Sequence, residues 1–168
     1  MHIIHFQNER NLLVYRDAWK LPNNSFYIRV SNSSDVGRLI EIESVFGDEA
    51  FSDQTIKRFV TNENVFVLCS FLKEIVAYAI VLYRKNSDGC RLYSIASVAS
   101  GKGYGKLLLS SCINNAIIND KKWMSLEVRR DNTVAIKMYK KFGFTVDKVF
   151  ENYYNDCDGL RMVLPLGR

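Results

Sequence analysis

Leu92-Tyr-Ser-Ile-Ala-Ser-Val-Ala-Ser-Gly-Lys-Gly-Tyr-Gly-Lys-Leu-Leu-Leu109 is the most informative stretch of the sequence. It joins an apolar strand, a glycine-rich turn and the start of an amphipathic helix. Gly101, Gly103 and Gly105 can adopt backbone angles closed to other residues. The following helix directs unpaired N–H groups and its positive dipole end at the turn. Two lysines add charge there, Lys102 and Lys106. The pattern indicates an anion site, although a merely tight strand-to-helix connection has the same pattern.

The common nucleotide-binding motifs do not match this turn. The Walker motif needs about four residues between its first glycine and the Gly-Lys pair, followed by Ser or Thr. Here three residues separate Gly101 from Gly105, and Leu107 follows Lys106. The dinucleotide motif needs a third glycine, but Lys106 stands at that position. The turn therefore belongs to neither class.

Length and composition predict one compact domain. The chain has 168 residues, of which 48% are hydrophobic and only two are proline. We expect a single domain over residues 26–168, with an N-terminal extension of unclear role over residues 1–25. No segment has the pattern of a signal peptide or the roughly 18 apolar residues of a membrane span. The net charge of +5 is modest and favours a basic surface over a nucleic-acid partner.

Cysteines and histidines indicate a reducing compartment and no metal site. The widely spaced cysteines are predicted to be reduced thiols in the cytoplasm: Cys69, Cys90, Cys112 and Cys157. His2 and His5 are the only histidines, and no close ligand completes a site with them.

Hydrophobic periodicity predicts the order β-α-α-β-β-β-α-β-α-β-β from residue 26 onward. Ser33 or Ser34 is expected to cap the first helix, and Asp131 or Asn132 the last one. The third helix, from 103 to about 119, is expected to bury one apolar stripe that includes Ile117. A polar loop is expected over 151–158. This order predicts an α/β fold, a mixed sheet with helices on its faces.

Three linked motifs resemble the GNAT superfamily of acyl-CoA-dependent N-acyltransferases, and within it most closely the ribosomal-protein-alanine N-acetyltransferase type. They are Gly101–Leu109, Leu126–Asn132 and Ala135–Phe144, followed by Asn152–Tyr154. The resemblance covers about residues 26 to 165. It implies a mixed, mostly antiparallel central sheet with helices on both faces. It also implies transfer of an acetyl group from acetyl-CoA to a primary amine, with a protein or peptide N-terminal α-amine favoured.

The resemblance also implies a cofactor site. The strand end would offer backbone groups to the acetyl and pantetheine part: Ile95, Ala96 and Ser97. The turn would hold the pyrophosphate: Gly101, Lys102, Gly103, Tyr104, Gly105 and Lys106. Asn132 matches a position beside the pantetheine arm. Two departures point to weaker cofactor affinity or a different loop course: Ser100 replaces the usual Gln or Arg, and the preceding segment is about two residues short.

Glu127 matches the family's general base and Tyr139 its general acid. From the residues alone, Glu127 could instead be a solvated carboxylate and Tyr139 a core aromatic. A free glutamate, with a pKa of about 4.3, needs burial or an intervening water to serve as the base. An α-amine, with a pKa near ~8, is already partly neutral at physiological pH, unlike a lysine amine near ~10.4. By resemblance, Tyr153 and Tyr154 border the acceptor side, although ordinary edge packing fits them equally.

Three other functions stay open. The acceptor amine could belong to a small molecule, or the domain could bind CoA without catalysis, which Ser100 and the short loop favour. A basic nucleic-acid-binding domain has no recognition motif in its support. We expect a monomer or homodimer that binds acetyl-CoA and an acceptor amine, with no nucleic acid, membrane or metal.

Overall fold

The structure is a computed structural model that describes residues 13–15, 26–61, 65–70, 72–154 and 156–167. The helices are α1 (Val36–Glu43), α2 (Asp53–Val60), α3 (Tyr104–Ile118) and α4 (Thr133–Lys141). The strands are β1 (Leu13–Tyr15), β2 (Phe26–Val30), β3 (Val65–Ser70), β4 (Ile75–Tyr83), β5 (Gly89–Ser97), β6 (Trp123–Arg129), β7 (Thr145–Tyr154) and β8 (Cys157–Pro165). They fall into two compact units, and β4, β5 and α3 run through both.

The first unit comprises residues through Ile80 together with Ser94–Ser111. Its strands lie in the order β1-β2-β3-β4-β5, and β1 to β4 pair antiparallel. Strands β3 and β4 form an antiparallel hairpin. The core consists of aliphatic side chains that are almost fully buried: Ile28, Leu39, Ile42, Ile56, Leu68, Ile80, Leu108 and Leu109. This core supports the strand end and the glycine turn that follows it.

A buried polar pair lies inside this first unit. Glu43 is only 2% exposed and accepts hydrogen bonds from the Phe51 backbone N–H, at 2.9 Å, and from the Tyr78 hydroxyl. Burial raises the pKa of Glu43, although both hydrogen bonds act to lower it. Because both side chains are buried, these hydrogen bonds replace the ones that water would otherwise make with the carboxylate and the hydroxyl.

The second unit comprises Val81–Tyr93 and the chain from Cys112 onward. Its strands lie in the order β5-β6-β8-β7. β6 pairs parallel with β5, from Gly89↔Trp123 to Arg91↔Ser125, and antiparallel with β8. Met124, Leu126 and Val128 of β6 are buried as their alternation predicts. Among the strand pairs whose register is described, β5 and β6 are parallel and the others are antiparallel. The predicted mixed, mostly antiparallel sheet is confirmed.

Three local predictions are corrected. Asn32, not Ser33 or Ser34, caps the first helical turn, because its side chain accepts the Ser34 N–H at 2.9 Å. Ile117 is 47% exposed, since it lies outside the buried stripe that Cys112 and Ala116 form on α3. The polar segment over 151–158 is mostly strand, because antiparallel pairing extends to Tyr154↔Cys157 despite the polar side chains.

Candidate functional site

The glycine turn of the first unit has the backbone conformation that the sequence predicts. Gly101 and Gly103 have φ values of +75° and +83°, in the left-handed region that other residues rarely adopt. A Cβ added at either position would meet no atom within 4 Å. The glycines are therefore required by backbone conformation, and the space around them is open to a ligand. Gly105 lies in the first turn of α3.

Helix α3 presents its N-terminus at this turn. The Leu107 N–H bonds to the Gly103 carbonyl at 3.1 Å, so the N–H groups before it have no acceptor within the helix. These groups and the helix dipole attract an anion. Lys102 and Lys106 are both exposed beside them. The ring of Tyr104 packs on Phe26, with centroids 5.4 Å apart, which fixes the start of the helix.

The strand end before the turn is held to its neighbour. Ala96 is buried, whereas Ile95 and Ser97 are half-buried. The Ser97 hydroxyl donates to the Ala99 carbonyl at 3.1 Å, and the Val98 N–H donates to the Val76 carbonyl of β4 at 2.9 Å. The shortened segment therefore follows a defined course into the turn.

Glu127, in the second unit, is not a solvated carboxylate, which was the alternative to the catalytic role. Its side chain is 13% exposed and forms an ion pair through Oε2 with Nη2 of Arg91, on the parallel strand β5. Oε2 is buried, so the Arg91 guanidinium compensates its charge. Arg161 is its register partner on β8. Glu127 is thus a charge-balanced carboxylate that retains acceptor capacity.

Tyr139 lies on α4 and is 6% exposed. Its ring contacts Phe144, with centroids 5.7 Å apart. Burial, followed by the nearby Tyr154 and Cys112, raises the pKa of Tyr139. The phenol is therefore protonated at neutral pH and can donate a hydrogen bond, but it is a weaker acid than an exposed tyrosine.

The remaining predicted residues of the second unit lie near the ends of its strands and helices. Asn132 is the N-cap of α4, and its side chain accepts the Ala135 N–H at 3.1 Å. Tyr153 is 50% exposed and packs edge-on against Tyr154, with ring centroids 5.2 Å apart. Arg129, the last residue of β6, pairs with Asp131 and Asp156, and the more exposed Arg130 pairs with Asp158.

The structure places the predicted residues in two groups. The first unit carries the strand end and the glycine turn, and the second carries Glu127, Asn132, Tyr139, Tyr153 and Tyr154. Sequence reasoning missed Arg91, the ion-pair partner of Glu127. No local signal marks Arg91, because the contact depends on β5 and β6 being adjacent and parallel.

The metal and membrane predictions can be compared with the structure only for the residues that it describes. No cluster of three or more His, Cys, Asp or Glu side chains suited to a metal ion occurs there. His2 and His5 lie outside the described residues. Within the described ranges, no helix has the length and apolar character needed to cross a membrane. The four cysteines are free thiols, three of them buried.

Comparison with known proteins gives consistent matches. A family model for an acetyltransferase (GNAT) domain matches residues 29–166. The [ribosomal protein bS18]-alanine N-acetyltransferase of Haemophilus ducreyi is 30% identical over 129 residues, which cover 76% of this chain and 88% of that protein. The crystal structure of the ribosomal-protein-S18-alanine N-acetyltransferase from Escherichia coli has a TM-score of 0.75 at 27% identity, over 85% of this chain and 95% of that chain.

A further solved structure contains the cofactor. The putative acetyltransferase yncA from Salmonella typhimurium, in complex with its cofactor acetyl-CoA, has a TM-score of 0.69 at 21% identity. The match covers 85% of this chain and 95% of that chain. At this identity the likeness shows the shared fold.

Proposed function

Because this chain belongs to the acetyltransferase (GNAT) domain family and is an acetyl-CoA-dependent N-acetyltransferase, we propose that it acetylates the N-terminal α-amine of a protein or peptide. The likeness to two proteins named for alanine N-acetylation of a ribosomal protein carries this choice of acceptor. Amine chemistry supports it, since an α-amine with a pKa near ~8 loses its proton more readily than a lysine amine near ~10.4.

The turn from Gly101 to Lys106 fits the diphosphate of acetyl-CoA. The left-handed glycines leave open space, and the first N–H groups of α3 offer donors to phosphate oxygens. The strand end Ile95–Ser97 is assigned to the acetyl and pantetheine part, and Asn132 to the position beside it. When bound, acetyl-CoA supplies the activated acetyl group as a thioester.

Glu127 is assigned as the general base. Its mostly buried carboxylate is paired with Arg91 through Oε2, and its remaining lone pairs can accept a proton from the attacking amine. The Arg91 guanidinium already engages this carboxylate, which favours transfer through a water molecule over direct contact with the amine. Because the α-amine is already partly neutral before it binds, the base has to remove only the proton that the nitrogen loses as it attacks.

Tyr139 is assigned as the general acid. Its phenol holds its proton at neutral pH and can pass it to the departing sulfur, although the raised pKa opposes this transfer. Tyr153 and Tyr154 are assigned to the acceptor side. The half-exposed Tyr153 offers an aromatic surface beside which a peptide N-terminus can lie.

An acceptor panel tests the proposal. Release of CoA is measured with a peptide that begins with alanine, with the same peptide blocked at its N-terminus and carrying one internal lysine, and with a polyamine and an amino sugar. The proposal predicts that the free α-amine peptide is used fastest. Preferential use of the polyamine or amino sugar would establish a small-molecule enzyme instead. Acetyl-CoA binding without turnover of any acceptor would establish a CoA-binding module.

A further inference from the structure

The Arg129 guanidinium, at the end of β6, joins two separate turns of the second unit. Its Nε and Nη2 donate to the two carboxylate oxygens of Asp131, at 3.0 and 2.9 Å. Its Nη1 and Nη2 donate to the two oxygens of Asp156, at 2.8 and 3.0 Å. Asp131 belongs to the turn before α4, and Asp156 to the turn between β7 and β8. One planar side chain therefore makes two bidentate ion pairs.

Arg129 also contacts the aromatic residues at the end of β7. Its Cζ lies 5.3 Å from the ring centroid of Tyr154. Tyr154 packs edge-on against Tyr153, whose ring in turn lies 5.4 Å from that of Phe150. Tyr153 covers Gly159 so closely that a Cβ there would come within 2.9 Å of the tyrosine ring. The position of both tyrosines is thus defined by contacts on several sides.

A second arginine reinforces the same connection. Arg130 forms an ion pair with Asp158 at 3.1 Å, and its backbone N–H donates to the Asp158 carbonyl at 2.9 Å. Asp158 also accepts the backbone N–H of Asn152, which has a positive φ of 51°. The β7–β8 turn is therefore fastened to the end of β6 by charge as well as by the sheet.

From this geometry we propose that Arg129 is a positioning residue for the acceptor side of the site. It links the turn that carries Asn132, the N-cap of the helix bearing Tyr139, to the turn that follows Tyr153 and Tyr154 at the end of β7. The inference rests on the proposed function, which assigns the tyrosines to the acceptor. The described donors of Arg129 are directed at the two aspartates, so its effect on the cofactor is expected to be smaller than its effect on the acceptor.

The chemistry requires arginine at this position. A guanidinium presents five donors in a planar fork, which suits two bidentate carboxylates, whereas a lysine ammonium is a single point charge. Isolated exposed ion pairs contribute little to stability. The ion pairs of Arg129 instead hold two segments of the chain in a fixed geometry. We therefore expect the loss of Arg129 to affect acceptor binding more than folding.

Steady-state kinetics with the alanine-starting peptide test this role. Arg129→Ala is expected to raise the KM for the peptide about tenfold, with kcat and the KM for acetyl-CoA each changed less than about threefold. Arg129→Lys and Asp156→Asn are expected to give intermediate increases. Arg38→Ala, which removes an arginine that pairs with Glu41 and donates to the Ile75 carbonyl in the first unit, is the control and is expected to keep wild-type kinetics.

The outcomes separate the two proposals. If the wild type acetylates the peptide and Arg129→Ala keeps the same peptide KM, the positioning role is refuted and the proposed function stands. An equal loss of kcat and of acetyl-CoA affinity would show a general structural role and also refute it. If the wild type acetylates no peptide in the panel, the proposed function fails and the positioning role fails with it.

Discussion

Replacing Gly103 by alanine tests whether the left-handed glycine turn is the cofactor cradle. At a φ of +83°, an alanine loses roughly 1–2 kcal/mol relative to its favoured conformations. No steric term adds to this cost, since a Cβ would meet nothing within 4 Å. The matched control is Gly37→Ala in α1, where a Cβ also meets nothing and φ is not positive. There, alanine is expected to stabilise the helix by about 0.5–1 kcal/mol.

The two variants should therefore differ by about 2 kcal/mol in the free energy of unfolding. For a chain of this size each kcal/mol shifts the thermal midpoint by about 2–4 °C, so the two midpoints should move in opposite directions and separate by several degrees. If Gly103→Ala relieves its strain by leaving the left-handed conformation, the affinity for acetyl-CoA should fall about tenfold, which corresponds to about 1.4 kcal/mol. Thermal unfolding and calorimetry measure both quantities. A Gly103→Ala protein with wild-type stability and affinity would refute the argument.

The remaining predictions concern two buried tyrosines. Tyr139→Phe keeps the ring contact with Phe144 and should lower kcat by roughly 10²-fold in steady-state assays, without changing acetyl-CoA affinity; unchanged turnover would remove Tyr139 from the mechanism. Tyr78→Phe takes one donor from buried Glu43 and should reduce the free energy of unfolding at neutral pH by about 1.5–3 kcal/mol. Because the folded pKa of Glu43 is raised, its contribution to stability falls as pH increases above the unfolded value of about 4.3. The Tyr78 hydrogen bond lowers the pKa of Glu43, so its removal should raise that pKa further. The fall in the free energy of unfolding should then extend to higher pH, as measured by denaturant titrations at several pH values. A pH dependence equal to that of wild type would contradict this account.

Local sequence signals predict much of the fold. The glycine turn, the long helix after it and the alternating strand β6 follow from spacing and periodicity alone. Asn132 caps α4 as one of the two predicted candidates, since a short polar side chain before a helix satisfies its first N–H groups. The resemblance to the GNAT superfamily is confirmed by the family match over residues 29–166.

Contacts between distant segments could not be predicted. The ion pair of Arg91 with Glu127 needs β5 and β6 to be parallel neighbours, and the Glu43–Tyr78 pair needs α1 to pack on β4. The strand character of residues 151–154 was missed because their polar side chains resemble a loop, whereas pairing with β8 decides their conformation. The roles of Glu127, Tyr139 and the cofactor residues stay predictions.

Titration of acetyl-CoA into the purified protein by calorimetry, with ATP as the control for general phosphate affinity, measures whether the glycine turn is specific for the cofactor. We expect saturable binding of acetyl-CoA and no binding of ATP. Absence of acetyl-CoA binding, or equal binding of both ligands, would contradict the assignment of the Gly101–Lys106 turn as the cofactor site.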